Sequence, residues 1–247
     1  TPAPGYAQYG AGAVLEGMAK QPSEEVDFNI VDTVRDNLVR VSADLFSFNV
    51  ARGWDLGLGT LNQVKMDLRD STDRYVSEAI ELSDMTMDPY ASWDDFQARN
   101  TLSDTVIEQF KEAYPDLILG ADEVEAFREV NPKIELTENT DGTFTVKGID
   151  RVDLWVGGLA ESHINGGVVG HTFWVVMHEQ LDRLQEGDRF YYTDRLGEMP
   201  AYANFISNST MADVVARNTG LEGLGEEIFS YLPENPDVVP DVPVSET

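Results

Sequence analysis

Hydrophobic residues recur at helical spacing along most of the chain. The clearest example joins Val26, Ile30, Val34 and Leu38, which are four residues apart and would form one apolar face. Val31 lies beside this face, Ser23-Glu-Glu25 precedes it, and the remaining faces carry Asp27, Asp32, Arg35 and Asp36. The pattern therefore predicts an amphipathic helix over residues 26–38.

The same spacing predicts further helices, each bounded by capping or breaking residues. Ser92 precedes acidic residues in a first turn, and Pro115 would end a helix that begins at Ser103. The segment 168–184 is so apolar that we expect a buried core helix there. The predicted helices cover residues 43–48, 61–68, 74–82, 103–114, 121–130, 150–161, 168–184 and 209–217, with another starting at 92. The fold class expected from this pattern is mainly α.

In one segment the hydrophobic pattern changes from helical spacing to alternation. Between Lys133 and Lys147, apolar and polar residues alternate on both sides of Asn139-Thr-Asp-Gly142, which is typical of a β-hairpin. A calcium-binding EF-hand loop would place Thr137 and Gly148 at its first and last ligand positions. Neither residue is a carboxylate, so we favour the hairpin.

Composition narrows the classes of partner. The 247 residues include 17 Lys and Arg against 45 Asp and Glu, a formal net charge of −28. Such a charge repels nucleic-acid phosphates and anionic membranes, so we expect neither as a partner. Cysteine is absent, which excludes disulfides and thiolate chemistry. No apolar run reaches the roughly 20 residues that a membrane span requires.

Residue chemistry alone identifies no active site. The three histidines, His163, His171 and His178, are better interpreted as ordinary core or surface residues than as metal ligands. The 45 acidic residues allow many carboxylate pairs, and no spacing singles one out. We therefore predict no metal site and no catalytic residue from these patterns.

The two ends of the chain differ in composition from its middle. Residues 1–12 are rich in Gly, Ala and Pro, and we expect a flexible N-terminal edge where a longer chain was cut. They lack the basic and apolar regions of a signal peptide. Residues 233–247 are rich in Pro and Asp and are interpreted as a tail or linker.

Four separated motifs give the chain a resemblance to a known family. They are, in order, Asp44-Leu-Phe-Ser-Phe-Asn-Val-Ala-Arg-Gly53, Asp153-Leu-Trp-Val-Gly-Gly-Leu-Ala-Glu161, Gly187-Asp-Arg-Phe190 and Asn218-Thr-Gly-Leu221. In sequence and order they resemble the C-terminal half of the animal-type haem peroxidases. The resemblance runs from about residue 12 to residue 221.

The resemblance implies a haem-peroxidase-like helical domain over residues 13–232, with residues 116–147 as an insertion that carries the hairpin. In that family a proximal His ligates haem b, and distal residues and a calcium ion lie on the other side. The resemblance places all of these upstream of this chain, so no catalytic residue is expected within it.

Four residues of the first motif match positions near the proximal haem face. The resemblance implies that Asn49 accepts a hydrogen bond from the proximal imidazole and that Arg52 lies near the haem propionates. Leu45 and Phe48 would be apolar contacts of the haem. The chain departs from the family pattern at Trp54 and Leu56, where Arg and His are usual.

The implied function is that of a haem peroxidase, which reduces hydrogen peroxide and oxidises a halide, a phenol or a metal ion. Its expected partners are the upstream half of the same protein, peroxide and a small electron donor, in a secreted or extracellular location. This portion alone is expected to be inactive. Two alternatives stay open: a fatty-acid dioxygenase that uses a tyrosyl radical, and a non-catalytic acidic module that associates through calcium.

Overall fold

The computed structural model describes residues 4–21, 23–37 and 44–224. The chain divides into two compact units, one formed by Val26–Gly187 and the other by Thr1–Glu25 with Asp188–Thr247.

Helices dominate the described residues, which confirms the mainly α fold class. In the larger unit they are α2 (Asp32–Asn37), α3 (Leu45–Asp55), α4 (Leu61–Arg69), α5 (Arg74–Ser83), α6 (Trp93–Asn100), α7 (Asp104–Ala113), α8 (Val124–Val130), α9 (Leu154–Leu159) and α10 (His171–Gly187). In the smaller unit they are α1 (Pro4–Lys20), α11 (Tyr192–Arg195), α12 (Pro200–Ser207) and α13 (Met211–Thr219).

The predicted hairpin is present and belongs to a three-stranded antiparallel sheet. The strands are β1 (Leu117–Leu119), β2 (Thr137–Glu138) and β3 (Phe144–Val146), in the order β1-β3-β2. Leu119, Ile134 and Val146 are buried together beneath the sheet. The sequence pattern indicated β2 and β3, which lie on either side of the Asn139-Thr-Asp-Gly142 turn, but it did not indicate β1. That this region is an insertion stays a prediction.

Aromatic packing builds the main core of the larger unit. Phe96, which is fully buried, has Tyr90 and Phe110 as edge-on neighbours at ring-centroid distances of 4.8 and 5.4 Å. Leu61 and Val152 are buried in the same cluster. The backbone N–H of Leu61 donates to the carbonyl of Val152 at 2.8 Å, which ties α4 to the segment that leads into α9.

The predicted helix over residues 26–38 is wrong in its first half, since only Asp32–Asn37 is helical and Leu38 lies outside the described residues. Asp27 accepts hydrogen bonds from the backbone and side-chain N–H groups of Asn29 at 2.7 and 2.6 Å. Such a local turn competes with helix formation. It also lets Phe28 pack edge-on against Phe110, with ring centroids 6.0 Å apart.

The buried core helix predicted at 168–184 is wrong in its burial and in its start. The helix begins at His171, and its buried residues are His171, Thr172 and Val175. Met177, Leu181 and Leu184 are 51%, 60% and 59% exposed. The helix packs mainly against α5 through one side, so its apolar residues on the other side stay in contact with solvent.

Other boundaries shift by a few residues. The helix predicted at 150–161 divides into a 3₁₀ turn at Gly148–Arg151 and α9. Residues 1–12, expected as a loose edge, are helical from Pro4 onward, with a break at Gly10, where φ is 75°. The last helix is capped by Thr210 rather than Ser209, because Thr210 and Asp213 form a reciprocal capping box. The predicted tail at 233–247 lies outside the described residues.

Candidate functional site

The four residues that the first motif singled out lie along one side of α3. Asp44 caps this helix by accepting a hydrogen bond from the backbone N–H of Ser47 at 3.1 Å. Leu45, Phe48, Asn49 and Arg52 follow at helical spacing, so they share a face. Leu45 is half-buried, Phe48 is 56% exposed, and the other two are exposed.

The polar groups of this face have no partner among residues 4–21, 23–37 and 44–224. Within the described part of the chain, no hydrogen bond or ion pair engages the side chain of Asn49 or of Arg52. An exposed aromatic ring beside an unpaired amide and an unpaired guanidinium is a surface suited to a large ligand that has an apolar ring and anionic groups.

Asp153, the first residue of the second motif, forms a hydrogen bond with a side chain of α3. The indole N–H of Trp54 donates to one carboxylate oxygen of Asp153 at 2.5 Å, and the phenol of Tyr114 donates to the other at 2.8 Å. The carboxylate thus joins α3 to the end of α7, although 99 residues separate Trp54 from Asp153. Burial and the hydrogen bond to Asp153 raise the pKa of Tyr114.

The two motif glycines allow close approach of neighbouring elements. A Cβ on Gly157 would lie 2.7 Å from both Leu61 and Val152, and a Cβ on Gly158 would lie 2.5 Å from the ring of Phe173. Real Cβ atoms do not approach other atoms this closely, so both positions require glycine for packing.

The motif ends in a buried charged network that the sequence did not reveal. Lys65 and Glu161 have side chains 0% and 1% exposed, and their charged atoms are 3.3 Å apart. Glu161 also accepts hydrogen bonds from the Tyr90 hydroxyl at 2.8 Å and from the Thr172 backbone N–H and hydroxyl at 2.7 and 2.8 Å. Burial lowers the pKa of Lys65, and the charge of Glu161 opposes that change.

His171 lies at the edge of this network and is buried. Its Nε2 is 2.9 Å from the hydroxyl of Ser83, while its Nδ1 is buried and finds no hydrogen-bond partner among the residues that the structure describes. Burial and the nearby charge of Lys65 lower the pKa of His171 to about 4, so the ring is neutral at pH 7.

The other two histidines are engaged away from α3. His178 stacks on Trp174 at 4.7 Å and lies 3.4 Å from Asp182, while Nε2 of His163 lies 2.8 Å from the carbonyl oxygen of Val26. Across the described residues, no group of three or more His, Asp or Glu side chains is arranged to hold a metal ion. The structure thus brings the four α3 residues together, and it brings none of the histidines to them.

Comparison with known proteins decides the family. The family model for animal haem peroxidases matches residues 2–127 and 118–229, which is most of the chain. The chain belongs to the animal haem peroxidase family. The sequence-based resemblance is thereby confirmed, and the family is one of oxidoreductases.

Individual relatives agree with this assignment over shorter stretches. Peroxinectin A of Dictyostelium discoideum is 33% identical over 101 residues, which are 41% of this chain and 18% of that protein. Chorion peroxidase of Drosophila melanogaster is 36% identical over 87 residues, 35% of this chain and 10% of that protein. The match therefore spans less than a fifth of either relative.

The fold of this haem peroxidase family member has a solved counterpart. Peroxidase A from Dictyostelium discoideum superposes with a TM-score of 0.56 and 22% sequence identity, over 94% of this chain and 34% of that structure. The agreement supports the fold.

One further property concerns membranes. Among the residues that the structure describes, no helix combines the length and the apolar composition needed to cross a bilayer.

Proposed function

We propose that this chain forms the proximal side of the haem site of a peroxidase that reduces hydrogen peroxide and oxidises a halide, a phenol or a metal ion. The observation that carries the proposal is the exposed face of α3, where Asn49 and Arg52 have no side-chain partner among the described residues and lie beside the exposed ring of Phe48. Bound haem b would supply the two-electron reduction of peroxide.

Each residue of the face has a defined role in this proposal. The amide oxygen of Asn49 accepts the N–H of the proximal imidazole, which orients that ring and increases its donor strength. The guanidinium of Arg52 offsets the negative charge of the propionates. Leu45 and Phe48 exclude water from the proximal side of the ring.

The imidazole that ligates iron comes, in this proposal, from a segment outside residues 1–247. The support is the placement of the three histidines, because each one is engaged on another element. The same upstream segment would carry the distal residues and the calcium site. A secreted or extracellular location completes the proposal and rests on the family resemblance.

A haem titration with added imidazole tests the role of this face. The free imidazole replaces the missing ligand, so we expect a saturable Soret band that develops only when both hemin and imidazole are present. Asn49→Leu removes the acceptor while keeping the volume, and Arg52→Gln removes the charge. Each should weaken hemin binding about tenfold, the effect of losing roughly 1.4 kcal/mol from one polar contact.

Ser47→Ala is the matched control, because Ser47 is exposed on the same helix but on a different side. It should leave the titration unchanged. Equal binding by all four proteins would contradict the proposal. So would a Soret band that forms without imidazole and disappears when His163, His171 or His178 is replaced.

A further inference from the structure

Trp54, Asp153 and Tyr114 form a triad in which one carboxylate joins two oxidisable rings. The indole N–H and the phenol O–H donate to opposite oxygens of Asp153, at 2.5 and 2.8 Å. Trp54 is 65% exposed, whereas Tyr114 is half-buried. The ring of Tyr114 stacks on Phe110, with centroids 6.3 Å apart. The triad therefore connects the solvent to the edge of the aromatic core.

Both rings hold their acidic proton in a hydrogen bond to the same base. An indole or a phenol that loses an electron becomes a much stronger acid, and the proton can then leave along an existing hydrogen bond. Because the acceptor is an ionisable carboxylate, it can take up that proton without any movement of the backbone. A phenol is protonated at neutral pH, and burial together with the hydrogen bond to Asp153 raises the pKa of Tyr114 further, so its proton leaves only on oxidation.

The arrangement distinguishes Trp54 from the other tryptophans. Trp93, Trp155 and Trp174 donate no indole hydrogen bond within the described residues. Trp155 packs against Phe173 at 5.9 Å, and Trp174 stacks on His178. Thus Trp54 alone, within those ranges, combines exposure with a carboxylate partner.

The position of Trp54 relates the triad to the proposed haem-facing side of α3. Trp54 follows Arg52 by two residues, so it lies on the opposite side of the helix. A helix with its side chains is about 10 Å across. An oxidising equivalent would therefore pass from one side of a single helix to the other.

We propose that Trp54, Asp153 and Tyr114 form a proton-coupled electron relay that lets the protein store an oxidising equivalent and meet a phenolic donor at its surface. The one-electron oxidant is the product of the reaction with peroxide, so this inference rests on the proposed function. The relay itself is a property of the three side chains.

The oxidising equivalent reaches Tyr114 in two steps and leaves in a third. An oxidant first takes one electron from Trp54, and the indole proton moves to Asp153. Tyr114 then gives one electron to the indolyl radical, the indole recovers its proton from Asp153, and the phenol proton moves to Asp153. The result is an intact Trp54, a tyrosyl radical and one proton on Asp153. A phenolic donor that contacts Trp54 then supplies one electron and releases its own proton to solvent, and Asp153 returns its proton to Tyr114.

Flash photolysis of the haem-free protein tests the relay separately from the haem proposal. A flash-generated tris(bipyridine)ruthenium(III) ion serves as the one-electron oxidant, and the net charge of −28 attracts this cation. Transient absorption follows the indolyl and phenoxyl radicals. In the wild type we expect the indolyl signal to decay as the phenoxyl signal rises.

Three variants report on the three residues. Trp54→Phe should lose most of both signals. Tyr114→Phe should keep the indolyl signal and lengthen its lifetime at least about tenfold, and Asp153→Asn should slow the transfer about tenfold, as about 1.4 kcal/mol on a barrier does. Trp155→Phe is the control, because Trp155 is 38% exposed but has no carboxylate partner, and it should behave as the wild type.

Two results would overturn the relay. One is a phenoxyl signal of equal yield in the wild type and in Tyr114→Phe. The other is a loss of indolyl signal in Trp155→Phe but not in Trp54→Phe. Since the assay contains no haem, failure here leaves the haem titration unaffected, and failure of the titration leaves the relay unaffected.

Discussion

Replacement of Lys65 by methionine would measure how strongly the buried network supports the fold. Methionine has a similar length and no charge, so the substitution leaves the carboxylate of Glu161 buried without its cation. Removing one partner of a buried ion pair costs about 3–5 kcal/mol. Glu161 retains three hydrogen bonds from Tyr90 and Thr172, so we expect the lower end, about 3 kcal/mol.

Urea unfolding at pH 7, followed by tryptophan fluorescence, is the suitable assay. All four tryptophans lie within Val26–Gly187, so the signal reports on the unit that contains the network. With a typical slope of about 2 kcal/mol per molar urea, the midpoint should fall by about 1.5 M.

The double variant Lys65→Met, Glu161→Gln is the matched control. Glutamine still accepts a hydrogen bond but carries no charge, so the double variant should recover at least about 1 kcal/mol relative to Lys65→Met.

A single variant that costs less than about 1 kcal/mol would refute this reasoning, because it falls well below the penalty of an uncompensated buried charge. A double variant that costs the sum of the two single changes would refute it as well, because the pair would then be uncoupled.

Three further predictions concern packing, pH and helix capping. Gly157→Ala should destabilise the larger unit by about 1–3 kcal/mol, because its Cβ would lie 2.7 Å from two apolar side chains, whereas Gly187→Ala, with no atom nearby, should be neutral or stabilising in urea unfolding. The pKa of His171 falls from 6.5 in the unfolded chain to about 4 in the folded protein. The contribution of its neutral imidazole to the free energy of unfolding is therefore complete above pH 6.5 and is lost as the pH falls towards 4. His171→Gln should therefore reduce the acid-induced loss of unfolding free energy over that window by about 3 kcal/mol, and an unchanged pH profile would contradict the assignment. Thr210→Ala removes a capping box and should cost α13 about 1 kcal/mol, measured as faster amide exchange within Met211–Thr219; equal exchange rates would count against the cap.

Local signals in the sequence determined the helices with clear boundaries, the hairpin and the position of the candidate site. Ser92 caps α6, and the turn around Gly142 joins β2 to β3, as their residue types predict. The face of Leu45, Phe48, Asn49 and Arg52 follows from helical spacing once the family resemblance singles these residues out. These features depend on residues close together in the chain, and periodicity reports on such neighbours.

Only the tertiary structure decided which distant residues meet. Lys65 and Glu161 are 96 positions apart, and Trp54 and Asp153 are 99 apart. No spacing rule connects such pairs, because the folding of several intervening helices sets their distance. The exposure of apolar residues on α10 has the same cause. The apolar pattern of this helix predicts burial, but only the side that packs against α5 is removed from water.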